Sequence, residues 1–214
     1  MSSSTLVIPD FYNISNRLGT PNVGETETEI RTYGVFGDLT IGYKDMLFLH
    51  SSLRNDWTSL LAPAHRSYLY PGVDAAFVFT DAISSLKNSN VLSYGKLRAA
   101  YSQTAQVSIG AYALQNTFNN GPGFPYPSTA GYTLSSTFAN PNILPELSAN
   151  TEVGLDLGFI KNRINFSAAL YNTETKNQTI QISLSSATGY TQAYVNSGEM
   201  QNKGIELDLN FTPV

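Results

Sequence analysis

The chain of 214 residues contains no cysteine, which excludes a disulfide framework, a thiolate metal site and a cysteine nucleophile. Charged side chains are scarce as well, at 13% of the residues, where about 25% is usual in a soluble domain. The formal net charge is −4 and basic clusters are missing, so the composition argues against a nucleic-acid partner.

Long apolar runs are also missing. The longest has five residues, Ala75 to Phe79, far below the roughly 18 of a membrane helix, which excludes a helical membrane protein. The first residues lack the basic and apolar segments of a secretory signal, and the chain stops at Val214 just after an alternating run. We therefore expect both ends to be cuts in a longer protein. With 11 Phe and 13 Tyr, the chain is too apolar to be disordered.

Alternation of apolar and polar residues recurs seven times, whereas helical periodicity is almost absent. In the last run, for example, Ile205, Leu207 and Leu209 alternate with Glu206 and Asp208. The pattern predicts seven β-strands at about residues 30–43, 47–54, 68–80, 96–103, 151–159, 164–171 and 200–211.

The predicted connections alternate between short and long. Shorter ones cover residues 44–45, 81–95 and 160–163, and long ones cover about 55–67, 104–148 and 172–198. Long structureless links are uncommon in a compact soluble domain, but they are typical of the external loops of an outer-membrane barrel. An up-and-down antiparallel transmembrane β-barrel also explains the scarcity of charge, because its outer face contacts lipid. Periodicity alone leaves open a soluble β-sandwich that packs the same apolar face against a second sheet.

Several passages carry a family resemblance. Residues 196–207, NSGEMQNKGIEL, resemble the "N-x-G-x-(I/M)-x-N-K-G-(I/V)-E" signature of SusC/RagA-like TonB-dependent outer-membrane transporters. Residues 140–146 with 151–159 are similar to that family's "NP-x-L-x-x-E…x-E-x-G-x-D" passage. Residues 162–164 with 170–175, and upstream residues 52–56, 70–73 and 96–102, resemble further strand markers in the family's order. The match departs from the family at Trp57, where small residues are usual.

The resemblance implies a section from the carboxyl-terminal half of a plugged barrel of about 22 strands. Residues 1–29 would be an external loop segment and residues 30–214 a partial barrel, with the plug and the terminal strands missing. The function implied is energised import of an oligomeric glycan or peptide across the outer membrane of a Gram-negative cell. The implied partners are outer-membrane lipid, TonB and a SusD-like surface lipoprotein, and no cofactor is implied.

Residues for catalysis are not evident. The two histidines, His50 and His65, have no metal-ligand spacing, and His50 is predicted on a polar strand face. Glu206 and Asp208 share a strand face, where they are expected to line the hydrated interior of a barrel. Enzyme fingerprints are missing, so the sequence predicts a protein that is not an enzyme.

Aromatic side chains in the predicted long loops are the candidates for contact with a ligand or partner, because aromatic rings stack on sugars and pack at interfaces. The selected residues are Trp57, Tyr112, Phe124, Tyr126 and Tyr132. Two other functional hypotheses stay open at this point. One is a secreted or surface β-sandwich that binds carbohydrate through these rings, and the other is a porin or adhesin barrel that does not use TonB.

Overall fold

The structure is a computed structural model that describes residues 7–13, 16, 27–87, 89–120, 129 and 131–213. Most of the predicted loop segment 1–29 therefore lies outside the described residues. The strands are β1 (Thr32–Tyr43), β2 (Leu47–Thr58), β3 (Ser67–Val78), β4 (Leu92–Gln106), β5 (Phe118–Asn120), β6 (Tyr132–Leu134), β7 (Thr137–Phe138), β8 (Glu146–Phe159), β9 (Ile164–Lys176), β10 (Thr179–Ser183), β11 (Gln192–Asn196) and β12 (Met200–Phe211).

Seven of these strands form one antiparallel sheet in the order β1-β2-β3-β4-β8-β9-β12. Every neighbouring pair is antiparallel, so the predicted up-and-down arrangement of seven strands is confirmed. Several strands are longer than predicted, because their polar ends continue the pairing beyond the alternating core. β8 begins at Glu146 rather than Thr151, and β9 continues to Lys176.

Two short turns lie where the sequence predicts them. The β1–β2 turn places Lys44 and Asp45 at positive φ, and the Met46 N–H donates to the carbonyl of Tyr43. The β8–β9 turn uses three left-handed residues, Ile160 to Asn162. At the end of β3 the prediction is wrong: Phe79–Ala82 form a helical turn, α1, in which the Ile83 N–H donates to the carbonyl of Phe79.

The long connections on the opposite side carry secondary structure of their own, contrary to the structureless links that the sequence predicts. Strands β10, β11 and β7 form a three-stranded sheet, and β5 pairs with β6. A 3-10 turn, Ser186–Thr188, joins β10 to β11. These strands have two to five residues, too few for alternation to reveal them in the sequence.

The seven-stranded sheet has one continuous apolar face. Direct pairing places Ile41, Leu49, Val153, Leu170 and Ile205 in one row of outward side chains across the sheet. No second sheet covers this face in the described part of the chain, and Leu207 is 69% exposed. The apolar face thus requires an apolar environment outside the chain.

The boundaries of the apolar face run obliquely to these rows. On the turn side, β1 ends at Tyr43, which lies in the same row as Leu155 of β8, four strands away. β8 itself ends at Phe159, so its end is displaced by four residues relative to the end of β1. On the loop side, the first outward carboxamide is Asn55 on β2, Gln103 on β4 and Asn172 on β9. Each of these lies two residues nearer the turns than the one before.

Both boundaries therefore shift by one residue per strand. A shift of about 3.4 Å for each spacing of about 4.8 Å inclines the strands by about 35°. Strands in outer-membrane barrels tilt by about 35–45°. The eight residue steps from Leu47 to Asn55, like those from Ile164 to Asn172, span about 22 Å along the tilted axis, close to the apolar band of about 25 Å in such barrels.

The main hydrophobic cluster of the described residues lies among the loops. Leu61, Ile109 and Ile143 are buried there, and Tyr68 and Tyr194 pack against them. The loops are therefore joined into a packed unit at one end of the sheet. In the described ranges no helix is long and apolar enough to cross a bilayer.

Candidate functional site

The face of the sheet opposite the apolar one carries a network of charged side chains. Arg54 on β2 and Lys96 and Arg98 on β4 all lie on this polar face, and each has a carboxylate partner. The partners of the two β4 cations come from β8, because the register places Lys96 opposite Asp156. Fixed pairing across strands makes this face a defined electrostatic surface.

His50 lies between two carboxylates from the strands on either side. Its Nδ1 is 2.6 Å from Asp74 Oδ2 on β3, and its Nε2 is 2.7 Å from Asp38 Oδ2 on β1. Both ring nitrogens donate only in the imidazolium form, so this arrangement suits a charged ring between two acceptors. The predicted position of His50 on the polar face is confirmed, and the two partners are a finding of the structure.

A second group lies between β4 and β8. Arg98 contacts Glu152 through Nη1, and its Nε is 3.6 Å from Asp156 Oδ2. The Lys96 ammonium is 2.9 Å from the same Asp156 oxygen, and Ser167 on β9 donates to the other oxygen at 2.6 Å. Three strands are thus linked through one half-buried carboxylate.

Two glycines from the family-like passages explain how large polar side chains lie flat on this face. A β-carbon at Gly154 would be 2.5 Å from the Nε of Arg98, and one at Gly204 would be 2.7 Å from the hydroxyl of Tyr171. A β-carbon at either position would make the neighbouring side chain shift, so glycine lets Arg98 and Tyr171 keep their places on this face.

A groove of about 460 Å³ separates the two charged groups. Its floor consists of small side chains, and its ends are formed by the His50–Asp74 pair and the Arg98–Glu152 pair. The small floor residues are Ser52, Gly72, Ala76, Ala100 and Ser102. A groove with small side chains between ion pairs suits a partner that inserts a side chain without disturbing the pairs.

A third group lies nearer the loops. Arg54 donates from Nε to Asp56 at 2.9 Å, the hydroxyl of Tyr70 donates to the same carboxylate, and the guanidinium lies 5.9 Å from the ring of Phe36. Phe36 breaks the alternation, because this large apolar side chain lies on the polar face and is 71% exposed.

Glu206 and Asp208 lie on the polar face of β12, as predicted. Asp208 accepts a hydrogen bond from Asn210, and neither carboxylate pairs with a cation among the described residues. Across the described ranges, no three His, Asp or Glu side chains converge as a metal site.

At the loop end, Asn196 fastens the connection 177–199 to the segment before β8. Its side-chain amide donates to the carbonyls of Leu144 and Asn177, and its oxygen accepts from the N–H of Leu144 at 2.7 Å. Asn140 adds a bond to the carbonyl of Tyr194. Both asparagines belong to the family-like passages, and their role here is to hold two loops together.

The structure separates the predicted aromatic residues rather than gathering them at one site. Trp57 lies on the apolar face and stacks on Tyr33, with ring centroids 4.8 Å apart. Tyr112 has a φ of 62° and accepts a hydrogen bond from the N–H of Glu29. Tyr132 is 66% exposed on β6. Phe124 and Tyr126 lie outside the described residues. Ligand contact by any of the five stays a prediction.

Sequence reasoning did not identify Asp38, Asp74, Arg98 or Asn196 as members of these groups. The partners of His50 come from separate strands, and only the register brings the three side chains together. The family-like glycines were the available signal for Arg98, because a glycine inside a strand often marks the close approach of another group.

The chain matches the family described as "TonB dependent receptor-like, beta-barrel" over residues 4–212. It is 26% identical over 211 residues to the TonB-dependent receptor P26 of Formosa agariphila, covering 95% of the chain and 21% of that protein. It is 27% identical over 184 residues to the TonB-dependent receptor SusC of Bacteroides thetaiotaomicron, covering 84% of the chain and 18% of SusC.

A similar solved structure is that of the RagAB peptide importer in its "closed-closed" state. The TM-score is 0.80 at 24% identity, and the match covers 97% of the chain and 23% of the solved one, which supports the fold alone. The chain spans about a fifth of the length of the relatives it matches.

Proposed function

Because the chain belongs to the TonB dependent receptor-like β-barrel family, we propose that it forms one section of the wall of an outer-membrane transporter. In this proposal the protein imports an oligomeric nutrient, a glycan or a peptide, through a plugged barrel. TonB supplies energy from the periplasm, and a SusD-like lipoprotein covers the external loops. The similarity to SusC supports this partner, and the similarity to a chain of the RagAB peptide importer supports the fold.

The observation that carries the proposal is the oblique apolar band. Its two boundaries are parallel, its height is about 22 Å, and its inclination of about 35° is the strand tilt of a membrane barrel. A β-sandwich needs a second sheet about 10 Å above this face, and the described loop strands do not supply one. The order of the family-like passages favours a TonB-dependent transporter over a simple porin or adhesin.

In this role the polar face lines the lumen. The ion pairs of His50, Lys96 and Arg98 hold that face in one arrangement, and the groove between them is a contact surface for a plug domain. The chain's own residues bind and guide, and no covalent step is assigned to them. The external end contributes Tyr112 and Tyr132 as candidate contacts for the nutrient or the lipoprotein.

Two measurements test the proposal. The first is the coding sequence on both sides of residues 1–214, where we expect a plug domain upstream and further strands downstream in the same frame. The second is membrane fractionation of the complete protein, which is expected to stay in the outer-membrane fraction after a carbonate wash. A start and a stop codon that directly flank these 214 residues, or release into the soluble fraction, would overturn the proposal.

A further inference from the structure

Outward side chains on β9 and β12 form a polar ladder just beyond the apolar band. The Gln201 amide donates to Asn172 Oδ1 at 2.9 Å and to Glu174 Oε1 at 3.2 Å, and the Asn172 amide donates to the same Glu174 oxygen. Lys203 lies directly opposite Asn172 on the same face. The ladder is therefore ordered by its own hydrogen bonds, and Lys203 lies at its lower end.

Lys203 differs from every other lysine or arginine of the seven strands. Arg54, Lys96 and Arg98 pair with carboxylates on the polar face, and Lys176 lies 3.8 Å from Glu174. Lys203 makes no ion pair with a described residue, and its side chain is exposed. It is the one strand cation whose charge is not compensated within the described chain.

The level of Lys203 follows from the slope of the band. The loop-side boundary falls by one residue per strand through Asn55, Gln103 and Asn172. Because Lys203 is level with Asn172, the boundary on β12 lies one residue past it, and Lys203 is the first outward residue beyond the band. This is the level at which the acyl chains of the outer leaflet end and the headgroups begin, and a lysine there extends its amine toward the headgroups. The surface is continuous with the apolar face that contacts lipid.

We propose that Lys203 binds the phosphate of a phosphorylated sugar headgroup in the outer leaflet, and that the neighbouring ladder residues Gln201 and Glu174 bind its sugar. This inference rests on the proposed membrane location. The ammonium donates to phosphate oxygens, and the carbonyl of Gln201 and the carboxylate of Glu174 accept from sugar hydroxyls. A groove of about 200 Å³ lies between the loop-side ends of β9 and β12 and gives room for a sugar ring. Glu174, Glu199 and Gln201 form part of its lining.

The presence of Glu174 favours this headgroup over a simple phosphodiester. A carboxylate repels phosphate, but it is a good acceptor for hydroxyl groups. A phosphoglycerol headgroup offers a single phosphate and few hydroxyls, whereas a phosphorylated sugar satisfies the lysine and the acceptors together. The two sources of phosphate are therefore separable by experiment.

The test uses the complete protein that contains these residues, purified from outer membranes and delipidated in mild detergent. Native mass spectrometry measures how much diphosphorylated lipid A, its monophosphorylated form or phosphatidylglycerol the protein retains. We expect lipid A to be retained best and Lys203→Gln to lower its retention about fivefold, since one lysine near a lipid surface contributes about that factor. Lys203→Arg keeps the charge and is expected to retain lipid A.

Lys161→Gln is the control, because Lys161 is an exposed lysine in the β8–β9 turn, at the opposite end of the sheet from the ladder. It is expected to change lipid A retention less than twofold. Equal retention by the wild type and Lys203→Gln, or equal binding of phosphatidylglycerol and lipid A, would overturn the inference. A protein that integrates into the outer membrane but fails this test leaves the proposed function intact, whereas failure to integrate removes both.

Discussion

The guanidinium of Arg98 lies across Gly154 of the neighbouring strand, with its Nε 2.5 Å from the point that a β-carbon would occupy. Gly154→Ala is therefore expected to displace Arg98 from Glu152 and Asp156 and to lower the free energy of unfolding by about 1–3 kcal/mol. Urea unfolding of the complete protein in lipid vesicles measures the change.

Gly37→Ala is the control for this substitution. Gly37 lies on β1, and nothing lies within 4 Å of a β-carbon built there. This variant is expected to unfold at nearly the same urea concentration as the wild type. Equal effects of the two substitutions would contradict the role assigned to the contact between Arg98 and Gly154.

Asn196→Ala is expected to release the connection 177–199 from the segment before β8, because three described hydrogen bonds of the side chain with backbone groups are lost. Amide hydrogen exchange in residues 139–145 and 177–199 should accelerate, by about tenfold for a local loss of about 1.4 kcal/mol, while exchange in β8 and β9 stays slow.

Asn142→Ala serves as the comparison, since Asn142 is exposed in the same segment and its side chain makes no hydrogen bond with a described residue. Unchanged exchange in both variants would mean that Asn196 does not fasten the loops.

Adjacent residues on β1 test the assignment of the two faces. Leu39 faces outward near the middle of the apolar band, and Thr40 faces the polar side. Leu39→Arg is expected to destabilise the protein folded in a bilayer by about 2–4 kcal/mol. Thr40→Arg is expected to destabilise it by less than about 1 kcal/mol. Folding titrations in vesicles measure both, and a reversed order would show that the faces are assigned the wrong way round.

Trp57 and Tyr132 are expected to respond differently to truncation. Trp57→Ala removes the stack on Tyr33 and should lower stability by about 1 kcal/mol while nutrient uptake stays within twofold. Tyr132→Ala removes an exposed ring of β6 and should weaken nutrient binding several-fold without changing stability. Uptake of a labelled oligosaccharide or peptide distinguishes the two, and a loss of uptake with Trp57→Ala alone would reverse the assignment.

The 214-residue chain on its own is expected to require detergent. The edges β1 and β12 are unpaired in the described sheet, and the apolar face, with Leu207 at its centre, is open. Unpaired edges and exposed apolar surface promote association in water. Analytical ultracentrifugation checks this, and a monodisperse soluble monomer with a cooperative melting transition would contradict it.

The sequence predicts the two faces of the sheet because the side-chain direction in a strand depends only on position along the chain. Ile205 and Glu206 are assigned to opposite faces by alternation alone, and the register agrees. The partners of a side chain depend in addition on how neighbouring strands are aligned. The contact of His50 with Asp38 is set by the length of the Lys44–Met46 turn, which alternation does not specify.

The loops are less predictable for a different reason. Strands such as β7, with two residues, are held by tertiary pairing with β11 and not by a local pattern. The buried cluster of Leu61, Ile109 and Ile143 draws on three separate connections, none of which contains an amphipathic repeat. Asn196 is one polar residue among many in its connection, and only its folded position shows what it bonds.

The slope of the apolar band sets the dimensions of a closed wall. If each strand is displaced by one residue against its neighbour, a circuit of about 22 strands returns with an offset, the shear number, of about 22 residues. Strands about 4.8 Å apart with a tilt of about 35° then enclose a cylinder about 40 Å in diameter. Side chains from the wall do not fill a bore of that width. In the proposed transporter, the permeability barrier would then come from a folded domain inside the wall, and the ion pairs around His50 and Arg98 would face that domain.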